Sequence, residues 1–490
     1  MSEFSRLYYF SNLDIYFRFM PIVFSILLGL SGFMFVKAWS KSEVAGIWAM
    51  FFTYLAGSFG YLIYIPTHKA LGGESVFWVS QTQSVLGNPP HAAAFIIVTV
   101  FLFCLLKFLN TRQLGYFLIC VILGGSVIEF KVYAGALILS GLLVIGLYEV
   151  LKRSYQTLIL FLTTLFVALL IYLPNSANSQ EFLIWQPWWF IRTMVVAPDR
   201  LNWLDMELRR QTYISESNWK RVVQLEATAF LIFLFGNLGM RFLGLWTVYK
   251  QASKDISKNS FNLFFLTITI ASFFIPVFFL QKGVAWNTIQ FNQYFLLLFG
   301  FLAALAVTDI LKLLKSKYLK LLFSILIIVF AVPTQVGLLL QFYSNRPLSK
   351  VSYEELKALD FLRNKGKKED IVLVAPFNKY ESVKYTNPPI PIYAWYDTGY
   401  VPAFSNKKAL ITDEEQVNIM GYDVDNLVLE RKEAFESSNP KTVNNFLKKY
   451  KVDYVYLAWQ QKFATASSTL NLDLLYENKD AKIFKVRNEK

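Results

Sequence analysis

Two ionisable residues interrupt an apolar stretch in the first third of the chain. In the segment SVIEFKVYAG, Glu129 and Lys131 stand between two runs of mostly apolar residues. A charge isolated in hydrocarbon is costly, so we expect the two groups to face each other or a cavity. One interpretation is an ion pair that caps a tight helical hairpin. The other is that Lys131 lines a cavity and meets an anionic group.

A second group of reactive side chains lies in the segment APDRLNWLDMELRRQ. Asp199, Asp205 and Glu207 are candidate catalytic carboxylates, because an acceptor hydroxyl needs a general base within hydrogen-bond reach. Arg192 and Arg200 are candidate ligands of a phosphate group. The Asp205-x-Glu207 spacing could hold a divalent cation, although so short a pattern is common by chance. The sequence predicts no other metal site and no certain cofactor.

The same segment is rich in aromatic residues. The sequence IWQPWWF contains Trp185, Trp188, Trp189 and Phe190. Such residues concentrate at the interface between hydrocarbon and water. The alternative to a catalytic role is therefore an amphipathic helix that lies flat on the membrane surface.

Side-chain amides form a third group, in QKGVAWNTIQFNQYF. Asn287 and Gln290 can each donate and accept hydrogen bonds, and Lys282 adds a positive charge. One interpretation is hydrogen bonding between neighbouring helices. The other is recognition of a hydroxyl-rich or phosphate-bearing head group by Lys282, Asn287 and Gln290.

The surroundings of these groups follow from composition. The chain of 490 residues is 55% hydrophobic and only 17% charged, whereas a soluble domain is about 25% charged. Apolar runs continue to about Tyr343, and ordinary polar sequence follows. The sequence therefore predicts an α-helical polytopic membrane domain over residues 1–343 and a soluble α/β domain over residues 344–490.

Ten segments are long or apolar enough to be candidate membrane spans. They are Phe17–Trp39, Val44–Ile65, Ala92–Leu109, Leu114–Ile128, Val132–Leu151, Thr157–Leu173, Ala227–Tyr249, Phe261–Leu280, Asn292–Thr308 and Leu319–Phe342.

Lysine and arginine recur in every second connection between these spans. The basic connections contain Lys37 and Lys41, Lys107 and Arg112, Lys152 and Arg153, Lys250, Lys254 and Lys258, and Lys312, Lys315 and Lys317. Cytoplasmic loops carry such an excess of positive charge. The pattern predicts a multi-pass protein of the plasma membrane. It also predicts that the other connections and the soluble domain face the extracytoplasmic side.

Several phrases resemble the GT-C-type membrane glycosyltransferases, in particular poorly characterised bacterial and archaeal members. They are PIVFSILLGLSGFMFVKAWSKSEVAGIWAMFFTYLAGSFGYL, GNPPHAAAF, EFKVYAGALILSGL, WNTIQFNQYF, YVPAFSNKKA and VDYVYLAW. The resemblance covers most of the chain, and none of the phrases is a sharp catalytic signature. It implies transfer of a sugar from a polyprenyl-phosphate donor to an acceptor on the outer membrane face.

The chain departs from this family where the acid or base is typically found. The resemblance implies a carboxylate in the first outer loop, yet Asp14 is the only acid near the expected region and lacks an acidic neighbour. We therefore expect that the usual first spans and their carboxylate are absent. The chain would then be a fragment, a mis-started reading frame or an inactive relative.

Two other functions compete with glycosyl transfer: transport of a lipid or glycan, and a non-enzymatic membrane scaffold. A transporter should contain broken helices and ionisable residues near the middle of the bilayer. Arg241 is the main candidate for such a charge, unless it reaches toward the cytoplasmic surface.

The net charge of +14 does not indicate nucleic acid, because no basic face interleaved with aromatic residues is present. The expected partners are membrane lipid and a polyprenyl-phosphate sugar.

Overall fold

The computed structural model describes residues 14–175, 183–252, 259–282, 284–344, 347–420 and 422–487. The chain divides into two compact units. The first ends at Tyr343, and the second begins at Ser344.

The first unit is built almost entirely of helices. They are α1 Met20–Ser40, α2 Glu43–Tyr54, α3 Tyr61–His68, α4 Gln81–Gly87, α5 Pro89–Thr111, α6 Leu114–Phe130, α7 Val132–Leu151, α8 Gln156–Asn175, α9 Trp189–Val196, α10 Leu204–Ser215, α11 Trp219–Leu238, α12 Gly244–Ala252, α13 Ser260–Phe278, α14 Gln290–Leu313, α15 Lys317–Ala331 and α16 Pro333–Ser344. Short 3-10 helices cover Glu74–Phe77, Gly239–Leu243 and Ala285–Ile289, and two short strands are β1 Leu183–Trp185 and β2 Phe279–Gln281.

Seven helical segments within the described residues are long and apolar enough to cross a membrane, and α15 with α16 forms a further, bent candidate. Seven of the ten predicted spans correspond to these segments. Leu114–Ile128 corresponds to the shorter apolar helix α6, and Leu319–Phe342 corresponds to the pair α15 and α16, bent by 47°. The chain is a multi-pass membrane protein with a C-terminal α/β unit, so the predicted fold class is confirmed.

The predicted span Val44–Ile65 is wrong as a single helix. Helix α2 ends at Tyr54, and α3 begins only at Tyr61. Residues 66–90, predicted to be an outer loop, also differ from expectation. They contain α4 and the buried residues Val76, Phe77 and Gln81, which pack within the helical unit. Irregular backbone can enter a membrane domain in this way because other helices shield it from lipid.

The described parts of the basic connections meet at one end of the first unit, which we call the basic end. Lys254 and Lys258 lie outside the described residues. Arg112 donates a hydrogen bond to Glu149 at 3.0 Å, and Ser260 donates to the same carboxylate at 2.7 Å. Lys250 pairs with Asp309 at 2.6 Å. These contacts join connections that are far apart in sequence. They support the predicted alternation, since loops on one side of a bilayer can touch.

The other connections meet at the opposite end. Strand β1 pairs antiparallel with β2. Arg200 donates a hydrogen bond of 2.8 Å to the carbonyl oxygen of Ser75, and the ring centroids of Trp78 and Trp189 lie 5.6 Å apart. The segments that contain the predicted site residues therefore share one end of the helical unit.

The second unit is a small α/β fold. Its elements are β3 Ser349–Lys350, α17 Tyr353–Arg363, β4 Ile371–Val374, β5 Ile390–Pro391, α18 Ile392–Trp395, α19 Tyr400–Ser405, β6 Lys408–Ala409, α20 Glu414–Ile419, α21 Asp425–Glu436, α22 Pro440–Lys449, β7 Tyr454–Ala458, β8 Leu472–Glu477 and β9 Ala481–Val486. Its sheet has the order β6-β4-β7-β9-β8. Strands β6, β4 and β7 are parallel, whereas β9 is antiparallel to both β7 and β8.

A buried carboxyl group lies at the start of α17. The Ser352 side chain accepts from the Glu355 backbone N–H, and the Glu355 carboxylate accepts from the Ser352 N–H, which forms a capping box. Glu355 also accepts hydrogen bonds of 3.1 Å from Tyr400 and from Tyr456. Burial raises the pKa of the Glu355 carboxyl, and the hydrogen bonds oppose that shift only in part.

This raised pKa predicts how the stability of the second unit depends on pH. The folded state holds the proton more tightly than the unfolded state, so the contribution is favourable below about pH 4.3 and falls as pH rises through the folded pKa. Glu355→Gln keeps an acceptor and removes the charge. We expect the second unit of the variant to be more stable than that of the wild type at pH 7.5, seen as slower hydrogen exchange of α17, without that gain at pH 4.5. Hydrogen exchange of peptides from α17 in the full-length protein at both pH values measures this.

The matched control is Glu433→Gln, because Glu433 is exposed on α21. We expect no comparable difference between the two pH values for this variant. An equal effect of Glu355→Gln at pH 4.5 and 7.5 would contradict the assignment of the pH dependence to this carboxyl.

Candidate functional site

A chain of polar side chains crosses the end of the first unit opposite the basic end. The Tyr133 hydroxyl donates to Gln281 Oε1 at 2.5 Å, and Asn287 Nδ2 donates to the same oxygen at 3.0 Å. Gln290 Nε2 donates to Asn287 Oδ1. Gln290 Oε1 lies 3.3 Å from His91 Nδ1. We call these five residues the amide chain, and it contains both of the amides predicted as binding residues.

Local structure explains how the amide chain is positioned. Residues 285–289 form a 3-10 turn that leads directly into α14, so Asn287 and Gln290 lie three residues apart on neighbouring turns. His91 is in the first turn of α5, where the Asn88 side chain accepts from its backbone N–H at 3.2 Å. Pro89 at the first helical position needs no such partner, as it lacks an N–H.

Lys131 stands beside the amide chain. It is the N-cap residue of α7, two positions before Tyr133, and its side chain is half-buried whereas Glu129 is exposed. Burial lowers the pKa of Lys131 to about 8. The lysine and His91 are close enough to interact electrostatically. This difference in burial favours the interpretation that Lys131 faces the protein interior over the hairpin-capping interpretation.

Two buried polar atoms next to the amide chain lack a hydrogen-bond partner among the described residues. They are His91 Nε2 and the hydroxyl oxygen of Tyr294. His91 and Tyr294 are almost fully buried, and their rings lie 5.2 Å apart between centroids. Buried polar groups are usually paired, so an unpaired set beside a cation marks a place where a polar ligand or water would gain hydrogen bonds.

The three predicted catalytic carboxylates do not converge on one point. Asp199 is exposed and lies 3.4 Å from its neighbour Arg200. Asp205 is exposed and pairs with Arg209 at 2.8 Å. Glu207 is half-buried, on a different side of α10 from Asp205, because residues two apart on a helix do not face each other. The Asp205-x-Glu207 pair therefore does not form the predicted divalent-cation site.

Glu207 belongs to a network of ion pairs. Both of its oxygens accept from Arg210, at 2.6 and 2.8 Å. Glu226 lies 3.6 Å from Arg210 and from Arg192. The hydrogen bonds from Arg210 hold the pKa of Glu207 below its usual value. The cleft between these groups encloses about 10 Å³, which is room for about one water molecule.

The remaining predicted cations differ in their surroundings. The guanidinium of Arg200 stacks 4.2 Å from the ring of Trp78 and donates to the carbonyl oxygen of Ser75, so it holds two loops together. Lys282 is exposed. Around Trp188 and Phe190 the segment packs onto the helices: Phe190 is fully buried, and Trp188 stacks on Phe230 at 5.9 Å. The aromatic residues of this segment therefore contact the other helices of the first unit, and the helix lying flat on the membrane stays a prediction.

Sequence reasoning missed a second polar cluster, inside the first unit. Glu74 is 4% exposed, and its Oε2 accepts from the Ser58 backbone N–H at 2.8 Å and from the Thr334 hydroxyl at 2.5 Å. Arg241 is 0% exposed and donates to the Phe52 carbonyl oxygen at 3.3 Å. One interpretation of the sequence expected Arg241 to reach the cytoplasmic surface. The structure instead buries its side chain inside the first unit.

Three helices are interrupted around this cluster. The breaks are residues 55–60 between α2 and α3, Gly239–Leu243 between α11 and α12, and the bend at Val332. Glycine permits the close approach at two of them. A Cβ atom at Gly57 would lie 1.8 Å from Thr334 Oγ1, and one at Gly239, where φ is +53°, would lie 2.0 Å from the Gly57 carbonyl oxygen.

Arg241 and Glu74 carry opposite charges and belong to the same buried cluster. They interact electrostatically, and Gln81 joins the cluster by accepting from Arg241 Nη2 at 3.3 Å. Among the described residues, Glu74 Oε1, Arg241 Nε and Arg241 Nη1 have no hydrogen-bond partner. The signals that could have revealed this cluster are the lone acid in GGESVFWVS and the glycines of LAGSFG.

No family model and no curated protein matches the chain. One solved structure with similarity is the archaeal oligosaccharyltransferase AglB from Archaeoglobus fulgidus, in complex with an inhibitory peptide and a dolichol-phosphate. The identity is 14% and the TM-score 0.44, with 90% of this chain and 58% of that chain covered. The alignment thus spans less than two thirds of the archaeal protein.

The buried cluster predicts a large loss of stability when one charge is removed. In Arg241→Met the Glu74 carboxylate loses its compensating charge, which we expect to cost about 3–5 kcal/mol. The double variant Glu74→Gln with Arg241→Met removes both charges and should recover part of the loss, which a double-mutant cycle measures as coupling. Thermal unfolding of the purified protein in detergent is the readout.

Arg221→Met is the control, because Arg221 is exposed on α11. It should leave the unfolding temperature nearly unchanged. Additive losses in the double variant would contradict the electrostatic link between Glu74 and Arg241.

Proposed function

We propose that the chain is a GT-C-like integral membrane glycosyltransferase, or an inactive relative of one. It would transfer a sugar from a polyprenyl-phosphate donor on the extracytoplasmic face of the plasma membrane. The observation that carries the proposal is the half-buried Lys131 beside the amide chain. A cation flanked by fixed amides and by unpaired buried polar atoms suits a ligand that contains both phosphate and hydroxyl groups.

The lipid-phosphate leaving group gains negative charge as the glycosidic bond breaks, and preorganised donors stabilise such charge. Lys131 is the proposed principal donor, since partial burial strengthens its interaction with an anion. Lys282 and Arg192 are proposed as further phosphate ligands at the exposed edge. Arg200 is proposed to contribute indirectly, because Ser75 and Trp78 already occupy part of its guanidinium.

The sugar itself presents hydroxyl groups that both donate and accept. Asn287 and Gln290 are proposed to bind these hydroxyls, since their amides are oriented by the chain that runs from Tyr133 to His91. A ligand group at this place could also satisfy His91 Nε2. The unpaired His91 Nε2 beside these oriented amides favours head-group recognition over hydrogen bonding between helices alone.

Activation of the acceptor hydroxyl needs a base, and the proposed candidates are Glu207, Asp199 and Asp205. Glu207 is the best placed of them by burial, and its ion pair keeps it in the carboxylate form that a base requires. The same ion pair weakens it as a base, since a lowered pKa reduces proton affinity. Release from Arg210 on acceptor binding would restore its basicity.

Transport of a lipid or glycan is the second candidate function. The observation in its favour is the group of three interrupted helices around the buried Glu74 and Arg241, because transporters often place such features at the substrate site. The close backbone packing at Gly57 and Gly239 favours a rigid core instead. A non-enzymatic scaffold remains the third candidate.

The proposal predicts that Lys131→Ala weakens binding of a polyprenyl-phosphate sugar about tenfold to 100-fold, the usual effect of losing a charge-assisted hydrogen bond. Because the pKa of Lys131 is about 8, binding by the wild type should weaken as pH rises from 7 to 9 and the ammonium loses its proton. Lys131→Arg should bind with little dependence on pH over that range. Binding to the protein in nanodiscs at each pH is the measurement.

Lys220→Ala serves as the matched control, because Lys220 is exposed at the start of α11. Its affinity and pH profile should equal those of the wild type. Unchanged binding by Lys131→Ala would assign Lys131 to a structural role and remove the main support for the proposed donor site. Transfer of glycan between leaflets without cleavage of the donor would favour the transporter.

The proposed orientation can be tested with introduced cysteines, since the native Cys104 and Cys120 are buried. Ser468→Cys lies on the second unit and is exposed, and Thr111→Cys is exposed at the basic end. We expect a membrane-impermeant maleimide to label Ser468→Cys in intact cells and Thr111→Cys only after permeabilisation. The reverse pattern would overturn the extracytoplasmic assignment.

A further inference from the structure

The second unit contains a crevice at the carboxyl edge of its parallel strands. Along the chain β4 is followed by β6, which lies on one side of it, and then by β7, which lies on the other. The connection after β4 leads to β6 on one side, and the connection after β7 leads toward β8 on the other, so the space between β4 and β7 is a topological switch point. Ligands of open α/β sheets bind outside the carboxyl ends of the strands at such points, because the diverging loops leave a cleft.

The two loops at this switch point line the crevice. Residues 375–380 follow β4, and residues 460–462 follow β7. The crevice encloses about 700 Å³, within the range of about 300–1,000 Å³ that is typical of small-molecule sites. Val428 and Phe435 of α21 close one side. The second unit thus offers a site of its own, independent of the first unit.

The charges of the crevice are unequally compensated. Its three carboxylates each have a cation nearby: Glu381 lies 2.8 Å from Lys384, Glu414 pairs with Arg431, and Glu436 lies 4.0 Å from Lys432. Lys379 and Lys462 also line the crevice, one on each loop. Neither forms an ion pair with any carboxylate in the described part of the chain. The compensated carboxylates leave a surplus of positive charge that favours an anionic ligand.

Two amides of the crevice, those of Asn378 and Gln461, are oriented to donate. Asn378 Oδ1 accepts from the Tyr380 backbone N–H at 3.0 Å, and Gln461 Oε1 accepts from the Ala458 backbone N–H at 3.0 Å. With the oxygens engaged, the NH₂ groups are left for a ligand that is rich in acceptors. Phe377 and Tyr380 add ring faces next to these donors.

The loop sequences indicate which anionic ligand fits. Neither Ala375–Tyr380 nor Trp459–Lys462 contains glycine, whereas loops that hold nucleotide phosphates through the backbone are rich in glycine. Side chains then supply the recognition, among them the cations of Lys379 and Lys462, the amides of Asn378 and Gln461, and the rings of Phe377 and Tyr380. We infer that this crevice binds a saccharide that carries carboxylate or phosphate groups. The inference goes beyond the proposed transfer reaction and does not depend on it.

The test is to titrate the full-length protein in nanodiscs with a linear trigalacturonate and to measure the heat of binding by calorimetry. Maltotriose is the uncharged comparison ligand, and a short polyglutamate peptide is the non-saccharide anion. We expect trigalacturonate to bind more tightly than either. The double variant Lys379→Ala with Lys462→Ala should weaken its binding about tenfold, given two largely exposed cations. Added salt should weaken it in the wild type and have less effect in the double variant.

Lys367→Ala with Lys368→Ala is the matched control. These lysines are exposed in the turn that precedes β4, at the amino edge of the sheet. The control variant should bind trigalacturonate as the wild type does. Phe377→Ala should weaken the binding of trigalacturonate. It should leave the unfolding temperature of the second unit unchanged, since Phe377 is only half-buried.

Three outcomes would overturn the inference. Failure of the wild type to bind trigalacturonate removes the site. An equal loss of trigalacturonate affinity in the control variant locates the binding elsewhere. Equal affinity for polyglutamate shows that the crevice does not select a saccharide over another anion. Nanodiscs that contain a glucuronosyl lipid give a further arm: competition with trigalacturonate indicates a lipid-linked source, and its absence indicates a free glycan. Because all these measurements are of binding to the second unit, their failure is distinguishable from a failure of donor binding at Lys131.

Discussion

Backbone amides and carbonyls that leave a helix inside a membrane domain must find partners within the protein, and this constraint shapes the first unit. The interruptions at residues 55–60 and at Gly239–Leu243 come together around Glu74 and Arg241. Charged side chains hydrogen-bond the freed backbone there, as Glu74 does with the Ser58 N–H. Irregular structure is therefore concentrated in one shielded core, and the remaining helices can present apolar faces to lipid.

The two polar regions of the first unit differ in a way that bears on function. The Glu74 and Arg241 cluster is enclosed, and glycine contacts fix the backbone around it. The amide chain lies at the end of the unit, beside a half-buried Lys131. An enclosed charge cluster suits a structural core, whereas an oriented amide chain beside a cation near the surface suits recognition of a ligand. This contrast underlies the preference for head-group binding over transport.

The sequence predicted the architecture well, because hydropathy and helix signals act locally. Most spans and the basic end follow from short windows of sequence. The site was predicted in part. The concentration of side-chain amides in QKGVAWNTIQFNQYF indicates Asn287 and Gln290, whereas no local signal indicates that His91 contacts Gln290. The carboxylates were chosen by position, and nothing in their sequence revealed that Glu207 is held by Arg210.

The sequence by itself determined which segments avoid water and which connections collect positive charge, since both depend on composition over a few residues. Only the tertiary structure decided that Val44–Ile65 is interrupted, that Arg241 lies in the core, and that two loops of the second unit form a crevice. The physical reason is that these features depend on partners distant in sequence. Gln290 meets His91 across 199 residues, and no local pattern encodes that contact.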